Sequence, residues 1–212
     1  MPLWSPFLDL LRAALFALAH FCGGSLGGAI VILSLIVRLA LLPLTYRLAL
    51  RAHEYNVALR RLKPQLDALQ RRHASEPLRL AQETRALHAR NGIGMAPKGT
   101  FLGAVVQMPI GAGIYQTIGA IAKRAARFLW IHDFSRPDAL VASVAAGLAG
   151  AAVVAGPSSS GSRVYAAIAA GFTFLLAWRL SAGVGLYWVA SNAVGVLQSL
   201  LVRRAAAASS KT

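Results

Sequence analysis

Apolar residues near the start of the chain follow helical spacing and predict two helices. An apolar residue recurs every three or four positions, at Trp4, Leu8, Leu11, Leu15 and Leu18, which places these side chains along one face of a helix. We expect residues 1–22 to form an amphipathic helix in the membrane interface, with a signal peptide as the alternative. Residues 23–46 carry Arg38 as their only charged side chain and are long enough to be a first membrane span.

Residues 47–98 differ in character from the apolar segments on either side. They carry 11 basic and 4 acidic side chains and no apolar run of spanning length. A leucine recurs there at helical spacing, at Leu59, Leu62, Leu66 and Leu69, which is typical of a helix packed on a partner. Ser75-Glu76-Pro77 interrupts this helix, and Asn91-Gly92 ends a second one. The pattern predicts an antiparallel helical hairpin outside the membrane.

Four further apolar segments complete the predicted architecture. The second to fifth spans are residues 100–122, 139–155, 164–180 and 184–202. The connections are residues 123–138, which include an interfacial aromatic cluster of Phe128, Trp130 and Phe134, and residues 156–163; residues 203–212 form a basic tail. The sequence therefore predicts an all-α integral membrane protein with five transmembrane helices, an N-terminal amphipathic helix and a cytoplasmic helical hairpin.

The composition favours lipid as the solvent of these helices. Hydrophobic residues make up 57% of the 212 residues and charged residues 14%, with a mean hydropathy of +0.57, whereas about 25% of a soluble domain is charged. Lys and Arg number 15 on the side of the hairpin and tail and 6 on the other side. Because basic loops stay in the cytoplasm, we expect a multi-pass protein of the cell membrane with its hairpin and C terminus cytoplasmic.

The chain has few residues of the kinds that catalyse reactions or bind metals. Its single cysteine, Cys22, excludes an internal disulfide and a cysteine-rich metal site. The five histidines are scattered without ligand spacing, and no phosphate-binding loop, nucleophile elbow or zinc-protease motif occurs. We therefore expect no catalytic residue, metal, cofactor or small-molecule substrate, and a protein that is not an enzyme.

Arg38 lies deep in the first predicted span and needs a polar environment there. An arginine at such a depth costs ~2.5–3.5 kcal/mol on insertion scales. Ser34, Arg38 and Thr45 lie within about 40° of one another around a helix and so form a polar stripe. The predicted spans contain no Asp or Glu. We expect Arg38 to face a hydrated groove, with snorkelling to the cytoplasmic interface as the alternative.

Polar side chains of two other spans are further candidates for this groove. Those of the fifth span repeat the spacing of the first, and the second span contributes one glutamine. Interhelical hydrogen bonds are an equal alternative for the amide and serine side chains, and an aromatic belt for the tyrosine and tryptophan. The candidate groove residues are Ser34, Arg38, Thr45, Gln107, Tyr187, Trp188, Ser191, Asn192 and Gln198.

Five short stretches, in order along the chain, resemble the YidC/Oxa/Alb family of membrane protein insertases. They are Ile36 to Thr45, Leu62 to Leu66, Gln107 to Ile110 with Tyr115, Phe128 to Asp138, and Gly185 to Asn192. Each stretch is a weak signal alone. Their order and the matching pattern of spans make the resemblance strong, and it covers nearly the whole chain.

The resemblance implies a five-span core around a hydrophilic groove in which Arg38 attracts the polar or acidic flank of a client. The implied function is to guide hydrophobic segments of nascent or newly made membrane proteins into the bilayer, alone or with the Sec translocon. The ribosome, the Sec translocon and anionic phospholipid are the further partners expected. The alternatives are a ribosome- or Sec-docking anchor or chaperone without autonomous insertion, and a small transporter, for which the internal repeats are lacking.

Overall fold

A computed structural model describes residues 4–94, 100–121, 128–157 and 162–209. Its regular structure within those ranges consists of seven helices: α1 Trp4–Phe21, α2 Leu26–Arg72, α3 Pro77–Arg90, α4 Thr100–Ile121, α5 Ala139–Ala155, α6 Ser162–Ala177 and α7 Ala182–Ser209. The predicted all-α class is confirmed. Parts of the predicted hairpin, of the connections 123–138 and 156–163, and of the tail lie outside the described residues.

Contacts divide the chain into two compact units. The larger unit comprises Met1–Pro43 and Val105–Thr212, and the smaller unit comprises Leu44–Ala104. Helix α2 runs without interruption through residue 46, where the sequence analysis ended the first span, and it continues to Arg72. Helix α7 likewise extends into the predicted tail as far as Ser209. Pro43 lies three residues before the first boundary and does not end α2, and residues 196–212 contain no Pro or Gly that would stop α7 at the second.

The apolar stripe of α1 is packed inside the larger unit. Leu8, Leu11 and Leu15 are its buried residues, and Phe7 and Leu11 contact α4 where Gly113 leaves room for them. This stripe therefore faces other helices of the protein. The expected location of α1 at the membrane interface stays a prediction.

The core of the larger unit joins α1, α2, α4, α5, the start of α7 and the connection before α5. Phe134, in that connection, is fully buried. The Gly183 amide donates to the Phe134 carbonyl over 3.3 Å, and the Ala182 amide donates to the Arg136 carbonyl over 2.8 Å. These bonds satisfy amides in the first turn of α7 that have no partner within the helix, and so attach α7 to the connection.

The predicted aromatic cluster of this connection is divided in the structure. Phe134 belongs to the core, whereas Trp130 remains 44% exposed; Phe128 packs against α2 at Gly27, where no Cβ would fit. Trp130 is the most exposed of the three, and the interfacial place of this cluster stays a prediction.

Two aspartates organise the same connection. The Asp138 carboxylate accepts from the Val141 amide over 2.8 Å and caps the N terminus of α5. The side-chain hydroxyl and the backbone amide of Ser135 both donate to the Asp133 carboxylate. These two bonds, the hydroxyl more than the amide, lower the pKa of that carboxyl below its usual value, and the charge of Arg136 adds to the effect. Because the pKa of Asp133 is lower in the folded state, the ionised carboxylate stabilises the fold at neutral pH. This stabilisation is lost as the pH falls through the folded-state pKa.

The smaller unit contains the second part of α2 and the whole of α3. Residues 73–75 form a turn between them, and α3 begins at Pro77 and ends at Arg90, with Asn91 as its C-cap. Glu76 occupies the N-cap position without a side-chain hydrogen bond. The four regularly spaced leucines Leu59, Leu62, Leu66 and Leu69 form the predicted seam between the two helices. Of these only Leu62 is buried, and α3 has no buried residue. The seam is thus less closed than the leucine spacing predicts.

Two of the helices are long and apolar enough to cross a bilayer, judged among the residues the structure describes. They are Leu26–Arg72 and Ala182–Ala208. The shorter apolar helices are α5 and α6, with 17 and 16 residues. A bilayer of about 30 Å requires about 20 residues in an upright helix, so the number of spans stays a prediction.

Replacing Gly183 by alanine should destabilise the larger unit. The added methyl group would lie 2.8 Å from Cγ2 of Ile118 and close to Phe134, and overpacking of this kind costs about 1–3 kcal/mol. The control is Gly147→Ala in α5, where the added Cβ meets no atom within 4 Å among the described residues, apart from its chain neighbours and its own helix backbone, and helix propensity improves by up to about 1 kcal/mol. Urea unfolding in detergent micelles measures the free energy of unfolding of both variants. Equal stability of the two variants would contradict the packing described.

Candidate functional site

A cavity of about 530 Å³ lies between four helices of the larger unit. Arg38 of α2, Tyr115 of α4 and Thr173 of α6 line it together with one side of α7. Phe172 and Tyr115 are more than half exposed, so the cavity reaches the surface. The full lining is Arg38, Gly111, Ala112, Tyr115, Phe172, Thr173, Leu180, Val184, Tyr187, Trp188, Ser191 and Asn192.

The structure brings together five of the nine candidate groove residues. Those that line the cavity are Arg38, Tyr187, Trp188, Ser191 and Asn192. They come from α2 and α7, two helices about 150 residues apart in the sequence, and the common spacing of polar residues in both helices was the signal that indicated them.

The other four candidates lie elsewhere. Ser34 is 1% exposed, and its hydroxyl donates to the Ile30 carbonyl one turn earlier over 2.6 Å, a bond that satisfies a buried serine within its own helix. Gln107 is exposed and, like Gln198, is not part of the lining. Thr45 belongs to the smaller unit. Contact of these residues with a client stays a prediction.

Arg38 is the charged side chain of this cavity, and no acidic group of the larger unit neutralises it. Of the seven acidic residues, four belong to the smaller unit. The remaining three are occupied: Asp9 pairs with Arg12, Asp133 pairs with Arg136, and Asp138 caps α5. Nε of Arg38 is buried and has no hydrogen-bond partner among the described residues.

A buried guanidinium nitrogen without a partner carries a large desolvation penalty unless water or a ligand satisfies it. The cavity is open and large enough to supply either. Its positive charge selects acidic or polar groups as occupants, since an added cation would be repelled.

Ser191 and Asn192 are neighbours in α7 and have different surroundings. The Asn192 side-chain amide donates to the Ala145 carbonyl of α5 over 3.0 Å, so this residue holds two helices together. The Ser191 hydroxyl is buried without a partner in the described part of the chain. Ser191 therefore has its whole hydroxyl available to a guest in the cavity, whereas Asn192 has already used one of its N–H donors.

Seven lining residues were not among the sequence candidates, and three of these seven have polar or aromatic side chains. Phe172 and Thr173 come from α6, and Tyr115 comes from α4. Thr173 is the only hydroxyl-bearing residue between Tyr165 and Ser181, and this isolated polar position was the available signal. Phe172 has none, because an exposed phenylalanine in an apolar helix looks the same in sequence whether it faces lipid or a cavity.

The site has the character of a binding groove. It combines one cation, several hydroxyl and amide groups and two exposed aromatic rings. Over the described residues, no group of three or more His, Cys, Asp or Glu side chains is arranged to hold a metal ion. What the groove can do chemically is to bind and solvate a polar group beside apolar helices.

Comparison with known proteins places most of the chain in one family. Residues 17–209 match the family model described as 60Kd inner membrane protein. The chain is 27% identical over 210 residues to "Membrane protein insertase YidC 1" of Streptococcus pyogenes, covering 94% of this chain and 74% of that protein. It is 30% identical over 191 residues to "Membrane protein insertase YidC" of Enterococcus faecalis, covering 85% and 67%.

A third relative is longer. The protein of the same name from Cupriavidus metallidurans is 28% identical over 150 residues, which are 68% of this chain and 26% of that protein. The matched region therefore corresponds to about a quarter of that relative and to most of the streptococcal one.

Replacing Asn192 by alanine should loosen the contact between α5 and α7. Loss of the bond to the Ala145 carbonyl should cost about 0.6 kcal/mol, the average measured for such bonds between membrane helices, and at most about 1.7 kcal/mol. The adjacent Ser191→Ala variant is the control, since its hydroxyl has no protein partner in the described chain and its removal should leave stability unchanged or higher. Unfolding in detergent compares them, and a larger loss for Ser191→Ala would refute this assignment.

Proposed function

Since the chain belongs to the 60Kd inner membrane protein family, we propose that it is a membrane protein insertase whose cavity receives the polar flank of a client. The observation that supports this most is Arg38, a cation in an open cavity with no acidic partner in its own unit. An unneutralised charge facing a surface-open cavity suits a guest that arrives, binds and leaves.

The hydrophobic segment of the client moves along the mouth of the cavity while its short polar flank enters. Arg38 and water solvate this flank, which would otherwise cost several kcal/mol in hydrocarbon. The Ser191 hydroxyl and the Tyr187 ring lie on the same lining and provide further polar contacts. Asn192 holds the wall through α5.

Burial of the client's apolar helix in lipid drives the process. Each Å² of apolar surface removed from water contributes roughly 25 cal/mol, so a spanning helix supplies far more than the polar flank costs. The membrane potential assists clients with acidic flanks by about 2.3 kcal/mol per charge per 100 mV. No nucleotide and no covalent step is required.

Five spans form the membrane domain in this proposal: the first part of α2, and α4 to α7. The outward side of α6 supports its inclusion despite its length, because Val164, Ile168 and Leu175 are each more than 60% exposed and recur at helical spacing. A continuous apolar face of this kind is covered by lipid or by another protein. Helices shorter than the bilayer are accommodated by local thinning.

The remaining partners follow from the distribution of charge. The strongly basic segment 47–98 faces the cytoplasm with the tail under the positive-inside rule, where it meets ribosomes, the Sec translocon or anionic phospholipid. Clients are nascent or newly made membrane proteins.

Arg38→Gln should impair insertion of clients with acidic flanks. The test is protease protection of a short single-span client in liposomes that contain the purified protein, with one client bearing two acidic residues in its flank and the other bearing none. A charge-assisted hydrogen bond contributes about 1.5–3 kcal/mol, so the initial rate for the acidic client should fall about tenfold or more, and that for the neutral client much less.

The matched control is Arg179→Gln, which removes the same charge from an exposed position after α6 and should leave both rates unchanged. If the unaltered protein protects the clients from protease and Arg38→Gln does not change the rates, the groove mechanism is wrong. No protection above empty liposomes, over several clients, would instead favour a docking anchor without autonomous insertion.

The orientation has a separate test in a Cys22→Ser background. Ser75→Cys lies in the exposed turn between α2 and α3, and His132→Cys lies in the exposed connection before α5. A membrane-impermeant maleimide added to intact cells should label the cysteine at 132, and that at 75 only after permeabilisation. The reverse pattern would overturn the proposed orientation.

A further inference from the structure

The smaller unit contains a second cavity, of about 420 Å³, between the last turns of α2 and α3. Four of its lining residues come from α2 and three from α3. The spacing within each set follows one face of a helix, so the cavity lies where the two helices face each other. Its lining is Gln65, Ala68, Leu69, Arg72, Glu83, Leu87 and Arg90.

The floor of this cavity is apolar and its rim is charged. Ala68, Leu69 and Leu87 provide the apolar surface, and none of the three is buried. Because α3 buries no residue at all, the two helices leave much of the facing apolar surface uncovered. A pair of helices that closed its own seam would have no cavity of this size there.

The rim side chains have unused binding capacity. The side chains of Arg72, Arg90 and Glu83 form no ion pair and no hydrogen bond with any described residue. The segment around them has 11 basic and 4 acidic residues. An occupant with acidic groups beside an apolar surface therefore complements both the rim and the floor.

We propose that this cavity is a docking site for an amphipathic helix that carries acidic residues, supplied by a partner protein. The α-carbons of Gln65 and Arg72 are about 10 Å apart along α2, which matches two turns of such a helix. Its apolar side chains fill the floor, while its carboxylates pair with Arg72 and Arg90. The site does not depend on the groove around Arg38.

Glu83 distinguishes this occupant from RNA. A phosphate chain would use the two arginines but would meet the Glu83 carboxylate and leave the leucine floor exposed to water. A peptide helix can place a basic side chain or its N-terminal amides against Glu83, so each lining group finds a partner.

The test uses the full-length protein in nanodiscs of zwitterionic lipid. The probe is a fluorescent helical peptide of about 14 residues, with leucines at intervals of three and four flanked by glutamates, and its binding is followed by anisotropy. The double variant Arg72→Gln with Arg90→Gln should weaken binding about tenfold or more.

The matched control removes two charges from the other sides of the same helices. Arg71 and Arg85 are exposed and are not part of the lining, so Arg71→Gln with Arg85→Gln should change binding by less than about twofold.

A second variant, Ala68→Trp, fills the cavity without altering charge and should abolish binding while circular dichroism shows unchanged helix content.

Three outcomes would overturn the proposal. The first is an equal loss of binding in the two double variants, which would indicate a diffuse basic surface. The second is unchanged binding of Ala68→Trp, or of a peptide whose leucines are replaced by serine. The third is an RNA oligonucleotide that binds more tightly than the peptide and shows the same dependence on Arg72 and Arg90.

Discussion

A guanidinium group among apolar helices must be hydrated or paired, and this constraint organises the larger unit. Burying an unpaired charge costs several kcal/mol even after the protein relaxes, which is comparable with the whole stability of a domain of about 5–15 kcal/mol. The unit has only three acidic residues, and each is engaged away from Arg38. The cavity that Arg38 shares with α4, α6 and α7 is the structural solution, because it admits water or a guest.

The rest of the unit keeps this cavity open. The start of α7 is attached to the connection before α5 through the Phe134 and Arg136 carbonyls, and its middle is attached to α5 through Asn192. These bonds hold the wall that carries Tyr187 and Ser191. A polar cavity survives beside a packed core because its walls are fixed by contacts on their far sides, where Val141, Ile118 and Phe134 are buried.

The two units expose polar groups in different ways. The larger unit is apolar with one unneutralised cation inside, and its exposed apolar surface includes the outer face of α6. The smaller unit is basic over its surface and has an uncovered apolar seam. In both units an incomplete contact between helices leaves binding capacity, which we propose serves a polar flank in the first unit and an amphipathic helix in the second.

The sequence by itself determined the helices, the isolation of Arg38 from carboxylates, and the family. Helical periodicity and glycine or proline signals act locally, so they located the turn before Pro77 and the end at Asn91. Only the tertiary structure decided which neighbour covers each helical face. Periodicity places Ser34 and Arg38 on one side of a helix. Ser34 is nevertheless buried and donates its hydroxyl hydrogen to the Ile30 carbonyl, whereas Arg38 lines the cavity. Contacts between helices far apart in sequence leave no local pattern. For this reason the sequence did not show that Phe134 lies in the core while Trp130 is exposed, or that Thr173 lines the cavity.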